Sequence, residues 1–171
     1  MKEITGATKL FGILADPIHH VKTPQRMNEH FARIGYDGVL VPFHARAENL
    51  AAIVAGLRQL ENLGGLIVTV PHKTAILDLC DDASDVTRKI GAANVLRREA
   101  NGKLTAHMLD GEGFVRGLLS NGIELKGKTA YMAGAGGAAN AIGFSLVQAG
   151  VASLTIANRT ASKAQDVKAR R

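Results

Sequence analysis

Hydrophobic and polar positions alternate along this chain in two periods, one of strands and one of helices. Leu10-Phe11-Gly12-Ile13-Leu14 is a short apolar run and predicts a strand. From Pro24 to Ile34 the apolar side chains fall at Met27, Phe31 and Ile34, one face of a helix that stops at Gly35. Val39-Leu40-Val41-Pro42-Phe43 predicts a second strand, and its proline, lacking an N–H, belongs at an edge or a strand end. Leu50, Ile53, Val54, Leu57 and Leu60 keep helical phase across Ala47 to Leu63, with Gly64-Gly65 expected to close that helix. Leu66 to Val70 then predicts a third strand, Ile76-Leu77 a helix, and a polar aspartate-rich stretch follows. Ala93 to Leu96 and Leu104 to Met108 flank Asn101-Gly102, a strong hairpin signal. Glu112 to Leu119 predicts a helix stopped by Asn121-Gly122.

The alternation restarts after Asp110. Lys128 to Ala133 reads as a strand, Gly134-Ala135-Gly136-Gly137-Ala138-Ala139 as a tight turn, Asn140 to Ala149 as a helix and Ser153 to Ala157 as the next strand. This β-turn-α-β order is what a dinucleotide site requires, because glycines let the backbone approach a pyrophosphate whose charge the free amides of the helix start can hold. Gly134, Gly136, Gly137 and Ala138 are therefore candidate cofactor contacts. The strand that follows ends in Asn158-Arg159-Thr160, with Lys163 one turn on. Two cations and two short polar side chains suit a 2'-phosphate, whereas a bare ribose would ask for a carboxylate, so the expected cofactor is NADP. The expected fold is α/β, with a substrate-binding catalytic domain over residues 1–110 and the opening of a Rossmann-type NADP-binding domain over 111–171. Only the first βαβ unit of that second domain is present, which would leave apolar sheet surface uncovered. The chain is accordingly read as a fragment of a longer enzyme.

Composition narrows the classes. With 171 residues, 46% of them hydrophobic, the chain can bury one ordinary core or two small ones. No apolar run approaches the roughly 20 residues of a membrane span, and Met1 to Gly6 lacks the apolar stretch of a secretory leader, so a cytoplasmic location is expected. A single cysteine, Cys80, excludes an internal disulfide and is expected to pack as a small apolar residue. The net charge of +6 does not imply nucleic acid, since the lysines and arginines are scattered and aromatics are only 4%. Part of the excess lies at Arg159, Lys163, Lys168, Arg170 and Arg171, against Asp166 alone.

If the second unit holds a hydride carrier, the first should hold its substrate, and polar groups at strand ends are the candidates. These are Thr23, Thr69, Lys73, Asn94 and Asp110. An alcohol that loses a hydride must also lose a proton, and a lysine with an aspartate supplies that relay. For Lys73 alone the competing reading is a solvated cation at a helix start.

These residues carry a resemblance. Residues Gly12 to Asn28, GILADPIHHVKTPQRMN, with VTVPHK at Val68 to Lys73, GAANVL at Gly91 to Leu96, LDGEGF at Leu109 to Phe114, then GAGGAA and NRT, stand in the order and at the spacing of the shikimate/quinate dehydrogenases. The sequence resembles that family from about Leu10 to its end. The resemblance implies an NADP-dependent oxidoreductase that reversibly reduces 3-dehydroshikimate to shikimate, or handles a related cyclic hydroxy acid. It implies Lys73 as catalytic lysine with Asp110 beside it, Asn94 and Thr69 as ligands of substrate hydroxyls, and Thr23 as the retained hydroxyl of a carboxylate-binding serine pair. The implied partner is a small anionic cyclic hydroxy acid, and a homodimer is left open.

Two departures fall in the substrate set. Val21 replaces the first serine of the pair, and Ile67 an asparagine that contacts a ring hydroxyl. Losing a hydrogen bond to a charged carboxylate costs roughly 1.5–3 kcal/mol, so an altered substrate is expected. His72, where the family often has phenylalanine, is read as a surface histidine rather than a proton shuttle. His19-His20 with Asp16 is set aside as a metal site, because adjacent side chains diverge. The competing readings are a quinate-type enzyme with altered substrate and a binding module that kept the scaffold without the reaction.

Overall fold

The computed structural model describes residues 3–169, so that Met1, Lys2, Arg170 and Arg171 lie outside the described residues. Contacts divide the chain into two compact units. One runs through Ala83 and takes in Ala93–His107; the other joins Ser84–Ala92 to the segment that begins at Met108. No helix among the described residues is long and apolar enough to cross a membrane.

The first unit is a six-stranded mixed sheet. Its strands are β1 (Lys9–Ala15), β2 (Gly38–His44), β3 (Leu63–Val68), β4 (Asp82–Ala83), β5 (Val95–Arg98) and β6 (Leu104–His107), in the spatial order β2-β1-β3-β5-β6-β4. β1, β2 and β3 are parallel, β5 is antiparallel to both β3 and β6, and β4 pairs with β6 in parallel. β2 is an edge strand, the place its Pro42 requires. Helix α1 (Thr23–Arg33) follows β1, and Phe31 packs with Ile13 and Leu40 beneath it. Helix α2 (Leu50–Leu57) lies in the larger core with Leu14, Leu66, Val68, Leu96 and Leu104. These are the elements the periodicity predicts, apart from the two-residue strand β4 and three further differences.

The helix expected from Ala47 to Leu63 is a 3-10 turn at Ala47–Asn49 and then α2, ending at Leu57. Sheet pairing overrides the helical phase. Asn62 already accepts the Leu10 N–H at 2.9 Å, and Leu63 is buried opposite Leu10. Gly64 and Gly65 thus stand inside β3 instead of ending a helix. A Cβ on Gly64 would run into the Phe11 ring, and one on Gly65 into the Leu96 carbonyl of the neighbouring strand. The expected helix at Ile76-Leu77 is a 3-10 turn, Ala75–Leu79. The aspartate-rich stretch, for which no element was expected, forms helix α3 (Asp85–Ile90), capped by Ser84 accepting the Thr87 N–H and closed by Gly91 at φ +69°.

The second unit holds α3, helix α4 (Asp110–Ser120), strand β7 (Thr129–Ala133), helix α5 (Gly137–Gln148), strand β8 (Ser153–Ala157) and helix α6 (Ala161–Ala169). β7 and β8 pair in parallel, in the expected β-turn-α-β order. Ile90, Ala92, Met108 and Ala141 form its core. α4 meets α5 at Gly111, where a Cβ would strike the Ala141 carbonyl and the Ser145 hydroxyl.

Cys80 is half-buried against the larger core of the first unit, as expected for a small apolar residue, and its thiol donates to the Ile76 carbonyl at 3.2 Å. Burial, then the neighbouring Asp81, pushes that thiol up to about 11. Asp81 accepts the Leu104 N–H at 2.8 Å and pairs with Arg58. The Leu104 hydrogen bond, followed by Arg58, holds its carboxyl below the ordinary carboxylate value. Glu99 is lowered in the same way, first by the Thr105 hydroxyl at 2.7 Å and then by Arg97. A carboxyl lowered in the folded state contributes stability above its unfolded pKa and loses it as pH falls through the folded one. The thermal midpoint should therefore fall once the pH drops below about 4, the unfolded carboxylate range, and Asp81→Asn should flatten that acid limb. An acid limb unchanged in Asp81→Asn would show that this contact does not couple to folding.

Candidate functional site

The parallel strands β1, β2 and β3 all end on one edge of the first sheet. Ala45, Asp16 and Thr69 therefore follow one another across it. β5 runs opposite to β3, with Val95 facing Ile67, so it begins where β3 ends and brings Asn94 to the same edge. Backbone hydrogen bonds tie these segments together: Thr69 N–H to Leu14 O at 3.0 Å, Val68 N–H to Asn94 O at 2.8 Å, and Ala93 N–H to Lys73 O at 2.8 Å. Thr69, Lys73 and Asn94 are thus held on one small stretch of edge. All three are half-buried, as side chains lining a recess would be.

Thr23 is the first residue of α1, on the loop that leaves β1, and is also half-buried. Val21 and Ile67 both pack against the cluster of Ile13, Phe31 and Leu40. The two positions expected to have lost polar contacts are part of an apolar wall. Asp110 opens α4 in the second unit.

Five histidines need placing. His72 is not at the surface as expected; it is 1% exposed, and its Nε2 lies 2.7 Å from the Ala45 carbonyl. The Pro71 turn folds this residue back under the strand ends, which its place between a proline and a lysine does not disclose. His44 pairs with Asp16 at 2.8 Å across the ends of β1 and β2. The neighbouring rings of His19 and His20 lie edge to face, 6.0 Å apart. On β6, His107 has a buried Nε2 with no hydrogen-bond partner among the described residues, and its carbonyl accepts the Asn94 N–H at 3.0 Å.

In the second unit the glycine turn joins β7 to α5. Gly134 has φ +115°, a conformation that side chains other than glycine's rarely adopt. Gly136 precedes α5 at φ −90° and ψ −174°, and no side chain caps the helix there. A Cβ on Gly136 would meet nothing within 4 Å, so neither packing nor backbone strain accounts for this glycine. What remains is open space in front of the first turn of α5, where free amides can hold an anion. After β8, Arg159 and Lys163 are exposed, and Asn158 Nδ2–H donates to the Thr160 carbonyl at 2.8 Å, shaping the turn that presents them. Turn and cations together fit a phosphorylated dinucleotide.

Residues 13–96 match the sequence model of the shikimate dehydrogenase substrate binding domain. The shikimate dehydrogenase (NADP(+)) of Lysinibacillus sphaericus (strain C3-41) is 41% identical over 160 residues, covering 93% of this chain and 58% of that protein. Shikimate 5-dehydrogenase from Listeria monocytogenes, solved in complex with shikimate and NAD, superposes with a TM-score of 0.88 at 36% identity over 99% of this chain and 60% of that one. The ligand-free 5-ketofructose reductase of Gluconobacter sp. strain CHM43 superposes with a TM-score of 0.85, also at 36% identity, over 95% of this chain and 58% of that one. The chain thus spans somewhat more than half the length of the relatives it matches. On its matched residues, its fold and its relatives, this chain is similar to the shikimate dehydrogenases along most of its length.

Proposed function

We propose that this chain provides the substrate-binding part and the first part of the NADP-binding domain of a dehydrogenase acting on a CH–OH group, with reversible reduction of 3-dehydroshikimate to shikimate as the reaction. The observation that carries this reading is the strand-end edge, where backbone hydrogen bonds hold Thr69, Lys73 and Asn94 together inside the matched domain.

NADP supplies the hydride chemistry when bound. The chain's part is to bind the substrate, orient it and move the proton. Thr69 and Asn94 offer hydroxyl and amide groups to the substrate's hydroxyls, and Thr23 a hydroxyl to its carboxylate. The Lys73 ammonium gives its proton to the carbonyl oxygen as that oxygen gains charge, and takes it back in the oxidative direction. Asp110 is the second acid–base residue of this reading. The amides of Gly136, Gly137 and Ala138 take the pyrophosphate beside Gly134. Arg159 and Lys163, with Asn158 and Thr160, take the 2'-phosphate and so favour NADP over NAD.

Val21 and Ile67 favour a second reading, in which the same reaction is run on a neutral polyhydroxy ketone; the similar 5-ketofructose reductase shows which substrate of that kind to test. Calorimetric titration of shikimate, quinate and 5-ketofructose into the folded chain separates the two. Shikimate heat that Lys73→Ala diminishes supports the first reading, and heat with 5-ketofructose alone supports the second. No heat with any of them would overturn both. For the cofactor, Gly136→Ala should lower NADP affinity at least tenfold, because its methyl group enters the space reserved for phosphate, while the thermal midpoint stays in place. Undiminished NADP affinity would remove this turn from the cofactor site.

A further inference from the structure

His72 stands next to the proposed proton donor, and the mechanism above gives it no task. The residue is 1% exposed, a setting in which histidine is uncommon unless its polar atoms are used. A carbonyl oxygen only accepts, so the 2.7 Å contact with Ala45 fixes the hydrogen on Nε2 and makes the imidazole the donor. Ala45 is itself 1% exposed and passes its own N–H to Ala15 O at 3.1 Å. That end of the bond is anchored at the tips of β2 and β1.

The other end holds the lysine segment. The His72 N–H donates to Thr69 O at 2.9 Å, and the His72 carbonyl accepts from Ile76 N–H at 2.9 Å. The next carbonyl, that of Lys73, accepts from Ala93 N–H, beside Asn94. The imidazole therefore spans from the end of β2 to the turn that connects Thr69 to Lys73. An apolar ring of the same size would fill the space but would not fix the direction of the turn.

We propose that His72 is a positioning residue, whose Nε2–H bond to Ala45 pins the turn from Thr69 to Lys73 against the end of β2 and thereby sets the direction from which Lys73 reaches the substrate. This rests on the reading of Lys73 as proton donor. Two variants test it: His72→Phe keeps the ring volume without the donor, and His72→Gln places an amide N–H where Nε2 stood. Hydrogen exchange at the amides of His72, Ile76 and Ala93 reads the turn directly, and shikimate calorimetry reads its effect on the site. In His72→Phe these three amides should exchange about tenfold faster with the rest of the first unit unchanged, and shikimate should bind about tenfold more weakly with NADP affinity unaltered. His72→Gln should restore both. A role in packing alone would give restoration by phenylalanine and none by glutamine, and would overturn the proposal. So would exchange in His72→Phe identical to that of the native chain. If the native chain binds no shikimate, the function proposed above fails, while local exchange that glutamine restores still upholds the pinning of the turn.

Discussion

Replacing Lys73 with alanine should lower turnover of the alcohol by about a hundredfold to ten-thousandfold, the span that positioned proton transfer contributes, and leave NADP affinity unchanged. The asymmetry follows from placement. Lys73 sits on the strand-end edge of the first unit, and the glycine turn belongs to the second. Removing the ammonium also removes a charged hydrogen-bond donor, so shikimate should bind more weakly, by about tenfold to a hundredfold. Following NADPH absorbance and the heat of each ligand gives all three quantities. Equal losses in turnover and in NADP affinity would mean that the lysine supports the fold, and the catalytic assignment would fall.

The second large effect concerns stability. Gly65 is buried in β3, paired with Phe11 on one side and Arg97 on the other, and a Cβ there collides with the Leu96 backbone carbonyl. Backbone cannot swing aside as the end of a flexible side chain can, so Gly65→Ala should cost about 3 kcal/mol, the upper end of overpacking effects. For a chain of this size that lowers the thermal midpoint by on the order of 10 °C. Gly117 is the contrast: it lies on an exposed face of α4 with nothing within 4 Å of an added Cβ, so Gly117→Ala should stabilise by about 0.5–1 kcal/mol. Scanning calorimetry of both variants decides the matter. A Gly65→Ala protein melting with the native one would place β3 in a different register against β5.

The periodicity of apolar residues was enough to locate most strands and helices, because each buries one face and writes that face at its own period. It misled at Gly64-Gly65, where glycine signals both a helix end and a close approach between strands. Only the pairing partner, Leu96, tells the two apart. It passed over α3 because that short helix buries just Thr87 and Ile90, too few positions to show a period among its charged neighbours. In the candidate site, Thr69 and Lys73 are legible because the chain places them directly after a strand. That Asn94 shares their edge depends on β5 running antiparallel to β3, which the hairpin signal implies but does not locate. His72 was misread as a surface residue because nothing in VTVPHK reveals the Ala45 carbonyl, which comes from a different strand end.

The assignment of Ser84–Ala92 to the second unit bears on how such proteins are cut and recombined. The chain passes between its units at 83/84, again at 92/93 and a third time at 107/108, so no single break separates them. A piece ending at His107 would take α3 along without Met108 and Ala141, and Ile90 and Ala92 would lose the surface that covers them. A piece starting at Met108 would lack the residues that fill its own core. Grafting a new second unit onto this first unit therefore calls for two exchanges, α3 and the segment from Met108 onward. In such a graft the core of Ile90, Ala92, Met108 and Ala141 stays matched only when both segments come from the same parent.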